Sequence, residues 1–228
     1  MTDDARMMRE FKMDMVIANP DPLGLFGFAF ATFLGNAATL GLYGVTSGQL
    51  IFECMFLGGF VQLIAGLQDY KNRNLFGATA FTGFGFFWIV FGVVSWLSYV
   101  HLVGPADGAT IGWYHLLWAV FVFALVGTSF ALTKFLTATV IFVDAGLVLI
   151  ALGAFGSIDA ATKLGAASLV ASAVLALYIG LAQMWNITFG RTVLPLYPWK
   201  RSEPPLAPTG IVAHGASRST PLPHGADS

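Results

Sequence analysis

The chain of 228 residues is 57% hydrophobic and 10% charged, and its formal net charge is −1 at pH 7. Soluble domains carry about 25% charged residues, so this composition excludes an ordinary soluble domain and indicates a polytopic membrane protein. Nothing in the charge pattern indicates nucleic-acid binding, and a single cysteine excludes an internal disulfide.

The N-terminal segment, residues 1–18, carries charges of both signs and lacks the apolar core of a cleavable signal peptide. We expect a cytoplasmic segment here. Its apolar residues recur at helical spacing, which fits a short helix along the membrane surface, and a disordered leader fits the same residues equally well.

The motif Asn-Pro-Asp-Pro-Leu-Gly-Leu at residues 19–25 precedes the first long apolar segment. Pro22 fits the first turn of a helix, where its missing N–H loses no hydrogen bond. The start of such a helix offers unpaired N–H groups and the positive end of the helix dipole, which favour a small anion such as a carboxylate. The motif residues predicted to contribute to substrate binding are Asn19, Pro20, Pro22, Leu23 and Gly24. For Asn19, capping of the helix is an equal alternative.

Six apolar segments reach the length of about 20 residues that a bilayer core requires. We predict an all-α membrane protein with transmembrane helices near 23–43, 49–68, 76–98, 113–131, 136–156 and 164–188. Residues 19–197 therefore form a six-helix transmembrane domain. The remaining segment, 198–228, is rich in Pro, Gly and Ser, which predicts a disordered tail.

The basic residues indicate the orientation of these helices. In a six-helix topology, both termini and the loops after the second and fourth helices share one side of the membrane. Every Lys and Arg except Lys163 lies on that side. Because basic residues concentrate in cytoplasmic loops, both termini are predicted to be cytoplasmic.

Four polar side chains within the predicted spans are candidates for a role in transport. Asn36 and Gln62 either line a transport pathway or form hydrogen bonds between helices. An ionised carboxylate at the centre of a membrane helix costs on the order of 2.5–3.5 kcal/mol, so Glu53 and Asp144 are candidates for holding a proton. The alternatives are that Glu53 reaches water and that Asp144 forms a buried hydrogen bond to a neighbouring helix.

Enzyme chemistry is not indicated. No set of His, Cys and carboxylate residues has the spacing of a metal site, and no nucleophile and base form a recognisable pattern. We therefore expect no catalytic residue, no metal and no cofactor.

Four stretches of the chain resemble the acetate uptake transporter family, which contains bacterial succinate–acetate permeases and fungal acetate and ammonia-export-associated proteins. The matching stretches are residues 19–25, 65–71 (Ala-Gly-Leu-Gln-Asp-Tyr-Lys), 74–82 (Asn-Leu-Phe-Gly-Ala-Thr-Ala-Phe-Thr) and 189–195 (Phe-Gly-Arg-Thr-Val-Leu-Pro). They occur in the family's order, and the resemblance extends from about residue 19 to residue 197.

The resemblance implies a subunit of six helices that encloses its own pathway and assembles into a ring-shaped hexamer in the plasma (inner) membrane. It implies transport of acetate and related short carboxylates, in some members succinate, linked to protons. Family members narrow the pathway with a hydrophobic constriction, which by position consists here of Phe28, Phe84 and Val143. The family more often has Tyr and Leu at the last two positions. Neither Glu53 nor Asp144 belongs to the family's motifs.

Two other functions are compatible with the sequence. A channel for small neutral solutes such as urea, short amides or ammonia could use a similar apolar ring of helices, and a flux independent of pH and membrane potential would favour it. A sensor or assembly protein that binds a partner through its proline-rich tail is the second alternative. Transport that survives deletion of residues 199–228 makes the tail dispensable for flux.

Overall fold

The structure, a computed structural model, describes residues 18–43 and 52–199. Its helices, in chain order, are α1 (Asp21–Thr39), π1 (Cys54–Val61), α2 (Gln62–Lys71), α3 (Leu75–Tyr99), α4 (Gly108–Ser129), α5 (Lys134–Gly156) and α6 (Asp159–Thr188). The π-helical stretch π1 runs directly into α2. Within the described ranges, β pairing is limited to one bridge between Thr133 and Pro198. Nearly all of the predicted N-terminal segment and of the predicted tail lies outside the described residues.

Five of these helices, α1 and α3 to α6, are long and apolar enough to cross a membrane. The all-helical architecture predicted from the apolar segments is confirmed. The predicted second span, 49–68, corresponds to π1 followed by α2, which together form one helix interrupted in its hydrogen-bond pattern. A sixth crossing, made by that helix, stays a prediction.

Local backbone signals shift three of the predicted helix ends. Helix α1 ends at Thr39 instead of near residue 43, because Gly41 takes a left-handed φ of 75° and the Leu42 N–H turns back to the Ala37 carbonyl. Helices α4 and α6 both begin about five residues earlier than predicted. The first turns of these helices include polar residues that precede the apolar segment. A prediction from apolar content alone therefore begins each helix too late in the chain.

Asp107 caps α4 from the loop between α3 and α4. The Thr110 backbone N–H donates to its carboxylate at 2.7 Å, and this hydrogen bond holds the pKa of Asp107 below its usual range. A carboxylate of this kind stabilises the fold above its unfolded-state pKa of about 3.9 and loses that effect as the pH falls through the lower folded-state pKa.

We therefore expect Asp107→Ala to lower the thermal midpoint of the detergent-solubilised protein at pH 7, with a smaller difference from wild type at pH 3. Circular dichroism melting at the two pH values measures both effects. Asp107→Asn is the matched control, since it keeps an acceptor oxygen but cannot ionise. The thermal midpoint of Asp107→Asn at pH 7 should lie close to that of wild type. Equal midpoints for Asp107→Ala and wild type at pH 7 would contradict a stabilising cap.

The helices are arranged as a ring in the order α4, α5, α6, α1, π1–α2 and α3, and α3 closes the ring against α4. Small residues permit the close approach of α1 and π1. A Cβ atom at Gly27 would lie 2.6 Å from the Leu57 carbonyl oxygen, which is closer than van der Waals contact allows. Gly27 therefore serves helix packing, as expected for small residues in membrane helices.

Aromatic side chains fill the space between α3 and α4. The Phe84 ring stacks on Trp118 and meets the edge of Phe121, with ring centroids 6.3 and 6.0 Å away. The Tyr114 hydroxyl donates to the Phe87 carbonyl at 2.8 Å. These contacts hold Phe84 in the interior of the ring, where it is 7% exposed.

The chain after α6 folds back over one end of the ring. The Asn186 side chain accepts hydrogen bonds from the Val193 and Leu194 N–H groups at 2.6 and 3.0 Å and starts this reversal. The Trp199 N–H then donates to the Leu132 carbonyl, and its indole N–H donates to the Thr137 hydroxyl at 3.0 Å. We call residues 193–199 the closing segment. Its last two residues lie beyond residue 197, where the sequence places the start of the tail.

Candidate functional site

A cavity of about 410 Å³ lies inside the ring, at the end where α1 and α3 begin. Most of its wall is apolar, with Leu25, Phe76 and Ile179 among the lining residues. Pro198 and Trp199 of the closing segment form part of the wall at the mouth. We call this space the large cavity. Its size suits a small organic solute with some water.

Polar side chains gather at the mouth of the large cavity. The Asn74 side-chain amide donates to Asp21 Oδ1 at 2.9 Å and to Asp69 Oδ1 at 3.3 Å. The Gln183 amide of α6 lies 3.5 Å from Asp21 Oδ2. One amide thus bridges two carboxyl groups, which we call the carboxyl pair, Asp21 and Asp69.

The backbone around Asn74 explains how the carboxyl pair forms. Asp69 lies in the last turn of α2, and a tight turn with Arg73 at φ 59° leads to Asn74, whose N–H donates to the Asp69 carbonyl at 3.1 Å. The Asn74 side chain caps α3 by accepting from the Gly77 N–H at 3.2 Å. A Cβ atom at Gly77 would overlap Asp69 Oδ2, so only glycine leaves room for the carboxyl group.

Gln62 lies deeper in the large cavity, on the first turn of α2. Its side chain is 0% exposed to bulk solvent and lines the cavity wall. Neither its amide nitrogen nor its amide oxygen has a hydrogen-bond partner in the described part of the chain. A buried amide without protein partners costs about 1–3 kcal/mol, so Gln62 is available to a solute in the cavity.

Phe28, Phe84 and Val143 separate the large cavity from a second one. All three line both spaces. The Phe28 and Phe84 ring centroids are 5.4 Å apart, and Val143 is 2% exposed. The second space, which we call the small cavity, measures about 30 Å³, roughly the volume of one water molecule. The three residues are thus brought together, and their part in transport stays a prediction.

Asn19 lies outside the two cavities. Its side-chain oxygen accepts a hydrogen bond from the Asp21 N–H at 3.0 Å, and the residue is exposed. Of the two predicted roles, this contact supports the start of α1. A contact between its amide group and a substrate stays a prediction.

The other predicted residues of the first motif build the start of α1. Pro20 is buried, and Pro22 lies in the first turn, as the sequence predicts. Leu23 is 48% exposed and faces away from the interior, whereas Gly24 packs against the Phe81 ring. Their direct participation in substrate binding stays a prediction.

Asn36 lines the small cavity on the far side of the constriction. Its amide donates to the Thr32 carbonyl of its own helix at 2.8 Å. In contrast to Gln62, Asn36 therefore already has a protein partner for its donor group.

The two predicted proton carriers do not line either cavity. Glu53 is half-buried directly before π1. Asp144 follows Val143 by one residue, and one residue rotates the side chain by about 100° around a helix. Asp144 is half-buried, and neither cavity described above includes Asp144 or Glu53 in its wall. Proton transfer by either residue stays a prediction.

Sequence reasoning missed most of the mouth of the large cavity. Asp21, Asp69 and Asn74 lie inside the stretches of family resemblance but were not chosen as site residues, and Gln183 carried no signal. The sequence did offer one signal for this site, because Asp21 and Asp69 are two acids at the same predicted end of two helices. Among the described residues, no group of three His, Cys, Asp or Glu side chains is placed to hold a metal ion.

Comparisons with known proteins place this geometry in context. The sequence profile of the GPR1/FUN34/yaaH family matches residues 9–199. The succinate-acetate/proton symporter SatP of Escherichia coli (strain K12) is 34% identical over 189 residues, which cover 79% of this chain and 95% of SatP. The ammonia transport outward protein 2 of Saccharomyces cerevisiae is 40% identical over 114 residues, covering 47% of this chain and 40% of that protein. The solved structure of the bacterial acetate channel SatP superimposes with a TM-score of 0.76 at 30% identity, covering 79% of this chain and 99% of that one.

Proposed function

Because the chain belongs to the GPR1/FUN34/yaaH family, we propose that it moves acetate and related short carboxylates, succinate among them, across the plasma (inner) membrane. The similarity to SatP, a succinate-acetate/proton symporter and acetate channel by name, supports this substrate class. The relatives named above are transport proteins and channels, which supports a transport protein over an enzyme.

The observation that carries the proposal is the layout of the two cavities inside one subunit. A polar mouth with Asn74 and Gln183 leads past the unpartnered amide of Gln62 to an apolar wall. The N–H groups of the Gln62 amide, which have no partner in the described part of the chain, can donate to a carboxylate that has given up part of its water. The wall formed by Phe28 and Phe84 then rejects hydrated ions, as a hydrophobic constriction does.

Proton linkage follows from the chemistry of the substrate. A carboxylic acid with a pKa near 4.3 is neutral in only about one molecule in several hundred at pH 7. Import of the bare anion against an inside-negative potential costs about 2.3 kcal/mol per 100 mV. One proton per acetate removes that electrical cost and lets the neutral acid pass the apolar wall.

The orientation and assembly complete the proposal. With both termini cytoplasmic, as the basic residues predict, the large cavity opens toward the cytoplasm. The π1–α2 helix then makes the sixth crossing. A ring-shaped hexamer, in which every subunit has its own pathway, rests on the family resemblance alone.

Uptake of labelled acetate into proteoliposomes tests the proposal. We expect an inward proton gradient, with pH 5.5 outside and pH 7.5 inside, to drive uptake well above that of protein-free vesicles. Uptake by the protein-free vesicles measures leakage of the neutral acid through the lipid. Excess unlabelled acetate should block the difference. Uptake equal to that of protein-free vesicles, with or without the gradient, would overturn the proposal.

A second candidate is a channel for small neutral solutes, and ammonia is the member of that class with the most support. The similarity to a yeast protein named for outward ammonia transport favours it. Neutral ammonia, unlike a carboxylate, passes an apolar wall without a bound proton. Vesicles that show ammonia flux independent of pH gradient and voltage, but no acetate flux, would establish this function instead.

A further inference from the structure

The two carboxyl groups at the mouth of the large cavity share one donor group. The Asn74 amide nitrogen lies 2.9 Å from Asp21 Oδ1 and 3.3 Å from Asp69 Oδ1, so the two acids lie close together. An ionised carboxylate has acceptor atoms only, so neither acid can donate to the other unless one of them carries a proton.

The surroundings of the carboxyl pair offer no compensating positive charge. Asp69 is 0% exposed, and its Oδ2 atom meets no donor in the described part of the chain. The groups that face the pair from α3 and α6 are the neutral amides of Asn74 and Gln183. The nearby Lys71 and Arg73 are exposed, and among the described residues no cation forms an ion pair with either acid. Two bare anions in such a site repel each other, and one shared proton removes the repulsion.

A second observation connects this proton with a ligand. The fully buried Gln62 amide, which has no partner among the described residues, projects into the same cavity that Asp21 lines. An anion bound there would meet Gln62 as a donor and Asp21, the member of the carboxyl pair that lines the cavity. It would be repelled if both acids were ionised and attracted as a hydrogen-bond acceptor if the pair carried its proton.

We propose that Asp21 and Asp69 hold one proton between them and transfer it to the carboxylate that enters the large cavity. This inference rests on the proposed function. In the transfer, an O–H bond of the carboxyl pair breaks and an O–H bond forms on the substrate oxygen. In export, the neutral acid then crosses the wall at Phe28 and Phe84, and the pair regains its proton from water at the mouth. In import the same steps run in reverse: the pair releases its proton to water at the mouth and then accepts the proton of the neutral acid that has crossed the wall. The pair takes the role that the sequence suggested for Asp144 or Glu53.

Infrared spectroscopy of the full-length protein in lipid tests the shared proton without any transport. We expect the carbonyl stretch of a protonated carboxyl group at pH 7 in wild type, and its loss in the double variant Asp21→Asn/Asp69→Asn. Asp159→Asn, the same substitution in an exposed residue, is the matched control and should keep the band. A band that persists in the double variant, or that disappears in Asp144→Asn, would overturn the inference.

The dependence of acetate efflux on internal pH tests the transfer step. The fraction of neutral acid in solution falls about a hundredfold between pH 5.5 and pH 7.5. Wild-type efflux from vesicles loaded with labelled acetate, corrected for protein-free vesicles, should fall less than about tenfold as the internal pH rises over this range, because the carboxyl pair at the cytoplasmic mouth supplies the proton. Efflux through the double variant should follow the full hundredfold fall. A double variant with the wild-type profile would overturn the transfer step. Wild type without acetate flux would overturn the proposed function, and the infrared result would still decide the shared proton.

Discussion

Val143→Trp should lower acetate flux at least about tenfold. Val143 is 2% exposed and forms the wall between the large and small cavities together with Phe28 and Phe84. The small cavity of about 30 Å³ cannot accept an indole ring in place of an isopropyl group. An indole ring in this wall narrows the passage and raises the barrier for the solute, and each 1.36 kcal/mol added to that barrier slows the step about tenfold. Gradient-driven uptake in proteoliposomes measures the effect.

Two further variants make this test specific. Ile141→Trp adds an indole ring to the same helix at a residue that is 45% exposed and outside both cavities, so flux should stay near wild type. Val143→Ala widens the wall and should raise flux. A normal rate for Val143→Trp in a correctly folded protein would show that solute does not pass between Phe28 and Phe84.

Gln62→Met should reduce transport and at the same time stabilise the protein. The buried amide of Gln62 has no partner in the described part of the chain, and removal of such a group recovers about 1–3 kcal/mol. For a chain of this size, each kcal/mol raises the thermal midpoint by about 2–4 °C. A hydrogen bond to an anion is worth about 1.5–3 kcal/mol, so its loss should lower flux about tenfold or more.

Thermal unfolding in detergent and acetate uptake in vesicles measure the two effects of Gln62→Met in one preparation. Gln68→Met is the matched control, because Gln68 lies on the same helix but does not line either cavity. It should leave flux unchanged. A lower midpoint together with normal flux in Gln62→Met would mean that the amide serves the fold and not the solute.

The helices were largely predictable from the chain, because a membrane-spanning segment must satisfy its backbone hydrogen bonds internally. Helix α3 was predicted at 76–98 and extends over Leu75–Tyr99, and α5 was predicted at 136–156 and extends over Lys134–Gly156. The π-helical stretch at Cys54–Val61 was not predictable from apolar length, since a π-helix has the same composition as an α-helix. Where a polar cap such as Asp107 starts a helix, apolar content placed the start too late.

The sequence by itself determined the class of protein, the family and the approximate ends of its helices, because these depend on apolar length and on motifs of neighbouring residues. Only the tertiary structure decided which polar groups meet. Asp21 and Asn74 are 53 positions apart, and their contact exists because α1 begins where α2 ends. The step from Val143 to Asp144 turns a side chain by about 100°, from the wall between the cavities to a position outside both. Such differences depend on how each helix is rotated against its neighbours, and helix packing fixes that rotation.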